Sequence, residues 1–237
     1  MIWALVLVGI ILLGLFLYWL LVTTEGVFLG QRMVIWLYDL TATRYDSIKE
    51  FNVSDDSFFI ARPIMRSIEQ EEAPLILDVA TGTGRVLESL LREPNFDGFV
   101  IGLDASKRML VQANKKLNDL GGPVDGSYSL IQQLAAPLPF PDDTFDLVCC
   151  LEALEFLPSD REALVEMVRV LKPGRTLLTS RRRGKEARLY LGRYRSKTDF
   201  EVMLRGSGLT GIHINLWELD YDIVTARKVD DAVESTL

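Results

Sequence analysis

The chain opens on an unbroken apolar run, Ile2 to Val22, reading IWALVLVGIILLGLFLYWLLV. No acidic or basic side chain precedes Glu25. As a helix rising ~1.5 Å per residue, such a run reaches about 30 Å, the hydrocarbon thickness of a bilayer. Gly9 and Gly14 are tolerated there, because lipid offers backbone amides no partner outside the helix. Trp3 lies near one end and Tyr18 and Trp19 near the other, where interfacial aromatics gather. A cleaved signal peptide would need a basic leader, a shorter core and a small-x-small cleavage site. The run lacks all three, so residues 1–24 are read as a single-pass transmembrane anchor. The first cations, Arg32, Arg44 and Lys49, all follow it. The positive-inside rule then puts the rest of the chain on the cytoplasmic side.

A second stretch, Val27 to Tyr45, is apolar but interrupted by Arg32, Asp39 and Arg44. It is too mixed to span. Its pattern predicts an amphipathic helix, lying at the membrane interface or packed over the catalytic domain. Residues 25–72 are therefore expected to form a helical cap segment.

From about Pro74 the pattern changes to short apolar runs alternating with helix-like stretches. The runs are Leu75–Ala80, Phe99–Asp104, Tyr128–Gln132, Phe145–Leu151 and Thr176–Ser180; the helical stretches are Arg85–Leu91, Ser106–Leu120 and Asp160–Leu171. Ser106 and Asp160 suit N-caps, and Lys172-Pro173-Gly174 suits a helix stop. This alternation predicts an α/β domain, residues 73–237, with a doubly wound, mostly parallel sheet. The last two runs, Leu209–Leu216 and Tyr221–Lys228, are joined by Trp217–Asp220 alone. That connection permits a hairpin but no parallel crossover, so the sheet should finish antiparallel.

Composition narrows the function. A net charge of −7 argues against a nucleic-acid partner, which calls for a basic footprint. The two cysteines, Cys149 and Cys150, are neighbours in an apolar run and read as buried strand residues.

Four motifs carry the chemistry. In Leu75-Ile76-Leu77-Asp78-Val79-Ala80-Thr81-Gly82-Thr83-Gly84-Arg85, an apolar strand ends in a glycine turn that opens a helix. Gly82 and Gly84 let the backbone turn sharply and approach a ligand. Asp104 ends the next strand in Ile101-Gly102-Leu103-Asp104, where a carboxylate can accept from both hydroxyls of a ribose. The others are Leu138-Pro139-Phe140-Pro141-Asp142-Asp143-Thr144-Phe145-Asp146 and Arg169-Val170-Leu171-Lys172-Pro173-Gly174.

With these motifs in order, the stretch from Tyr38 to Lys228 resembles the class I S-adenosylmethionine-dependent methyltransferases, in the branch that includes the ubiquinone/menaquinone methyltransferases. The resemblance implies S-adenosylmethionine as cofactor and a seven-stranded Rossmann-like sheet whose final strand is antiparallel. It implies that Asp78 holds the methionine amino group, that Ala80, Thr81, Gly82 and Gly84 form the turn beneath the cofactor, and that Asp104 takes the ribose. Ala105, Met109, Leu134 and Ala135 would border the adenine. Leu151, Glu152 and Ala153 would line the transfer pocket, and Tyr38 and Tyr45 would close over it. Ala80 stands where relatives often have a first glycine, Leu134 where an acidic residue is usual, and Glu155 where many carry histidine.

Glu155 is the candidate catalytic base by position, or else an ordinary helix-start carboxylate. The only histidine, His213, is expected to be structural or solvent-facing. Arg181, Arg182, Arg183, Lys185, Arg188, Arg193, Arg195 and Lys197 crowd the segment after the fifth strand. They form either a basic rim for anionic lipid headgroups or a solvated face. The function expected is methyl transfer to a small hydrophobic or lipid-like acceptor: a quinone, a phospholipid headgroup or similar. The alternative is a tethered S-adenosylmethionine-binding partner protein that catalyses nothing.

Overall fold

The computed structural model describes residues 1–120 and 127–230; the end of the expected catalytic unit, 231–237, lies outside the described residues. Helix α1 (Ile2–Tyr18) continues through a π-helical turn at Trp19–Thr23. The result is a 22-residue helix containing an 18-residue stretch of mean hydropathy 2.9 with no buried part, long and apolar enough to cross a membrane. The buried Thr24 ends it by donating its hydroxyl to the carbonyls of Trp19 and Leu20, both at 3.1 Å. Glu25 and Gly26 then take left-handed backbone, φ 49° and 72°. A Cβ on Gly26 would lie 2.8 Å from Leu37 and 2.9 Å from Met33, so glycine lets this turn seat against the next helix.

That next helix is shorter than its pattern suggested. Gly30, at φ 93°, separates a 3-10 turn (Val27–Leu29) from α2 (Gln31–Thr41). A second 3-10 turn, Ala42–Arg44, leads to α3 (Tyr45–Lys49). Helix α2 packs over the α/β domain. Val34 and Tyr38 pack with Phe156 and Tyr190, and Asp39 accepts from the Ser106 hydroxyl at 2.5 Å. The short helices α4 (Val53–Asp56) and α5 (Arg62–Ser67) complete the cap.

The sheet has seven strands: β1 (Leu75–Val79), β2 (Phe99–Asp104), β3 (Tyr128–Gln132), β4 (Phe145–Cys150), β5 (Leu171–Arg182), β6 (Leu209–Leu216) and β7 (Tyr221–Lys228). Their order is β3-β2-β1-β4-β5-β7-β6. The first five pair in parallel, and β7 runs antiparallel to both neighbours. The chain's last strand is thus antiparallel, as its short connection required, but it is inserted between β5 and β6 and leaves β6 at the edge.

Helices α6 (Arg85–Leu91) and α7 (Lys107–Asn118) cover one face, while α8 (Asp160–Val170) and α9 (Lys197–Gly206) cover the other. Ser106 caps α7, accepting from the Met109 amide at 3.1 Å. The cap of α8 is Ser159 rather than Asp160; Asp160 is the first helical residue, and its carboxylate pairs with Arg195 instead. Lys172-Pro173-Gly174 falls in the first residues of β5, because α8 already ends at Val170 and extended backbone begins at Leu171. Strand alternation splits β4 between two cores: Val148 and Cys150 enter one, Leu147 and Cys149 the other. The adjacent cysteines therefore face opposite sides of the sheet, buried and free.

Candidate active site

The carboxyl ends of β2, β1 and β4 meet where the strand order reverses, the position at which open α/β sheets bind ligands. Three residues of the loop after β1 are left-handed: Ala80 (φ 57°), Gly82 (55°) and Gly84 (78°). A Cβ on Gly82 would meet nothing within 4 Å, so its front faces open space. A Cβ on Gly84 would stand 3.2 Å from Ala113; here glycine seats α6 against α7 and does not reach the pocket. Ala80 holds its conformation at a cost of roughly 1–2 kcal/mol that glycine would avoid.

Two carboxylates flank this loop. Asp104 accepts from the amides of Gly82 and Ser106, both at 2.8 Å. Burial pushes its carboxyl up, and those N–H donors pull it partly back. Asp78 is buried and accepts from the Thr81 hydroxyl at 2.6 Å. Burial pushes its carboxyl up to about 7. No salt bridge among the described residues compensates Asp78. A buried carboxylate without a cation fits a ligand that brings its own ammonium.

The pocket at this rim has Ala80, Gly82, Asp104 and Ala105 below, Ala135 and Gln133 at one side, and Leu151, Ala153 and Phe156 at the other. Gln31, Val34, Ile35 and Tyr38 of α2 roof it. A smaller compartment alongside holds Asp78 and Thr81 and shares Ala80, Gly82 and Leu151. Of the residues expected here, Gly84, Met109 and Leu134 do not line either space. Met109 is buried within α7's inner face, and Leu134 is 37% exposed. Its neighbours Gln133 and Ala135 line the pocket instead.

Glu155 also sits off the pocket. It accepts from the Tyr221 hydroxyl at 2.5 Å and from Arg182 at 3.3 Å, buried on the far side of Phe156. His213 is exposed on β6. The arginine-rich segment is mostly internal structure. Arg181 pairs with Asp222 and Arg195 with Asp160, Arg182 reaches Glu155, and Arg193 donates to the carbonyls of Glu155 and Leu157. Lys185, Arg188 and Lys197 are the exposed members.

Two features escaped sequence reading. Arg85 is buried and binds Asp56 and Glu152 at 2.5 Å and Glu218 at 2.6 Å, between the rings of Phe51 and Trp217. It joins the cap, the end of β4 and the β6–β7 turn. Its partners are scattered along the chain, and nothing local announces them. The second is Glu25, to which the Tyr38 hydroxyl donates; burial raises the Glu25 carboxyl. The roof itself had a signal: Gln31, Val34, Ile35 and Tyr38 share one helical face.

Residues 76–174 match the family model described as a methyltransferase domain. The chain is 32% identical over 145 residues to the ubiquinone/menaquinone biosynthesis C-methyltransferase UbiE of Geobacter sulfurreducens, covering 61% of this chain and 56% of that protein. It is 35% identical over 142 residues to the demethylmenaquinone methyltransferase of Lactiplantibacillus plantarum, covering 60% and 59%. The chain thus spans under two thirds of these relatives' length. Among solved structures, a SAM-dependent methyltransferase from Aquifex aeolicus superposes with TM-score 0.58 and 22% identity, covering 76% of this chain and all of that one. The [4+2]-cyclase SpnF gives TM-score 0.67 at 17% identity over 85% of this chain and 97% of that one. Likeness at that identity speaks for the fold alone, and a fold hosts several reactions. Residues 76–174 thus carry a methyltransferase-domain match on the fold of S-adenosylmethionine-dependent methyltransferases, which implies S-adenosylmethionine as the cofactor.

Proposed function

We propose that this protein is a membrane-anchored methyltransferase acting on a quinone-like ring dissolved in the bilayer. The anchor is residues 1–24, the cap 25–72 and the catalytic unit 73–237, with the catalytic side in the cytoplasm. The observation that carries the reading is the pair of carboxylates, buried Asp78 and half-buried Asp104, flanking an open glycine turn under a roof that follows on the apolar helix. The names of the relatives support the acceptor class.

In this reading Asp78 binds the amino group of the cofactor's methionine portion and Asp104 its ribose hydroxyls. Thr81 orients Asp78; Ala80, Gly82 and Gly84 shape the turn between them. Ala105 and Ala135 border the adenine, with Met109 and Leu134 supporting from outside the pocket. When bound, the cofactor supplies a methyl already activated on a cationic sulfur. The protein's task is alignment, and the apolar wall of Leu151, Ala153, Phe156 and Tyr38 suits a flat ring. A ring hydroxyl must lose a proton to direct its electrons toward carbon. We assign that proton to Glu25, reached through Tyr38, rather than to Glu155, which is engaged by Tyr221 and Arg182.

The test is transfer of labelled methyl to a demethylated polyprenyl quinol by full-length protein in nanodiscs. Labelled quinol supports the proposal. Tight cofactor binding with no product from quinol, phospholipid or soluble phenols favours the catalytically silent tethered partner.

A further inference from the structure

The end of the apolar helix is joined to two surface segments far apart in sequence. The Trp19 ring stacks on Phe28 with centroids 5.2 Å apart, and Trp19 Nε1 donates to the Leu189 carbonyl at 3.3 Å. These contacts hold Val27–Leu29 and the 3-10 turn Glu186–Leu189 around the helix foot. Both segments turn large apolar side chains outward: Phe28 is 38% exposed, Leu29 46%, Leu189 41% and Leu191 63%. Beside them Lys185 and Arg188 are exposed, and neither pairs with a carboxylate among the described residues. Their sequence neighbours differ, since Arg181, Arg182, Arg193 and Arg195 are tied into the fold.

The second segment is two-sided. Ala187 and Tyr190 point inward, each 1% exposed, and the Tyr190 ring meets Phe156 edge-on at 5.8 Å. Phe156 lines the cofactor pocket. One ring therefore separates the pocket wall from an outward surface that is apolar with a cationic flank.

We propose that residues 27–29 and 185–191 form a collar that seats in the headgroup–acyl boundary around the foot of the anchor. The inference rests on the reading of α1 as a membrane span. The bilayer is the occupant because the collar is continuous with that helix and level with its terminal tryptophan, the depth at which tryptophan settles. Apolar side chains with flanking cations suit a boundary about 5–10 Å deep whose headgroups carry negative charge. The collar holds the pocket at the membrane surface, so an acceptor with a long apolar tail reaches it without leaving the bilayer.

The test uses full-length protein in phosphatidylcholine–phosphatidylglycerol vesicles, labelled with an environment-sensitive fluorophore at one introduced cysteine. Cys149 and Cys150 are buried and do not compete for label. The variants are Leu29→Cys and Leu191→Cys in the collar, Ile11→Cys in the helix and Thr210→Cys on exposed β6, all at exposed positions. Shallow spin-labelled lipid should quench positions 29 and 191 several-fold more than deep spin-labelled lipid does, position 11 should show the reverse, and position 210 should stay unquenched. If position 11 is quenched while 29 and 191 behave like 210, the anchor stands and the collar is overturned. If position 11 is unquenched and the protein does not float with the vesicles, the anchor reading itself fails and takes the collar with it. A blue shift at 191 that follows protein concentration without lipid quenching would place a second copy there, against the proposal.

Discussion

The Gly82 amide donates to Asp104 Oδ2 at 2.8 Å, tying the loop after β1 to the end of β2. The bond holds a carboxylate at the pocket floor, and the glycine's open front leaves room for a ligand to lie against the backbone. Replacing Gly82 by valine should therefore do two things. A β-branched side chain at φ 55° costs roughly 1–2 kcal/mol of stability, and it fills the approach. Cofactor affinity should fall by more than tenfold, while the melting temperature drops by only a few degrees. Calorimetry and thermal melts on one sample separate the two effects.

Asp78 makes stability depend on pH in an unusual direction. Its folded carboxyl is raised to about 7, above the ordinary aspartate value of about 3.9. The unfolded chain then sheds its proton first as pH rises. Cofactor-free protein should lose stability from about pH 4 up through 7, in proportion to that mismatch. Asp78→Asn removes the penalty. At pH 8 the cofactor-free variant should melt roughly 3 °C or more above the wild type, the gap should close near pH 4, and cofactor affinity should be lost at both.

Arg85 is surrounded by carboxylates from three parts of the chain. Methionine there keeps the bulk but strands Asp56 and Glu152, which are buried. Removing one partner of such a network costs about 3–5 kcal/mol. Arg85→Met should be destabilised by that order in denaturant titration, with partial recovery at low pH as the carboxylates protonate. Arg85→Lys should fall between, since an ammonium cannot serve three partners in a fork.

Glu25 and Glu155 give opposite expectations. Burial raises Glu25, and a base must be deprotonated to act. The methyl-transfer rate should rise with pH above the usual carboxylate range, and Glu25→Gln should flatten that rise and lower the rate at least tenfold. Glu155→Gln keeps an acceptor for Tyr221 and should leave the shape of the pH profile intact. Rate–pH profiles of both variants check this.

Much of this was legible in the sequence because it is encoded locally. Strand β1, the glycine turn and Asp104 follow from period, punctuation and the position of an acid at a strand end. The antiparallel β7 followed from a connection too short for a crossover, whereas its insertion beside β5 depends on which edges pair and has no local signal. Gly30 broke the helix expected over 27–45, a place where a glycine outweighs an apolar pattern. The arginine-rich segment was legible only in part, for a related reason. Composition shows its charge, but the carboxylates that neutralise Arg181, Arg182 and Arg195 lie elsewhere in the chain and meet them only on folding.

The most direct test of the central claim is calorimetric titration of full-length protein, in nanodiscs, with S-adenosylmethionine, beside Asp104→Ala. Asp104 is half-buried and its side chain accepts from two loop amides, outside both cores, so the variant should fold. Saturable binding by the wild type, weakened at least tenfold by the substitution, is the predicted result. Binding of equal strength in both, or none in a well-folded wild type, would contradict the assignment of this pocket.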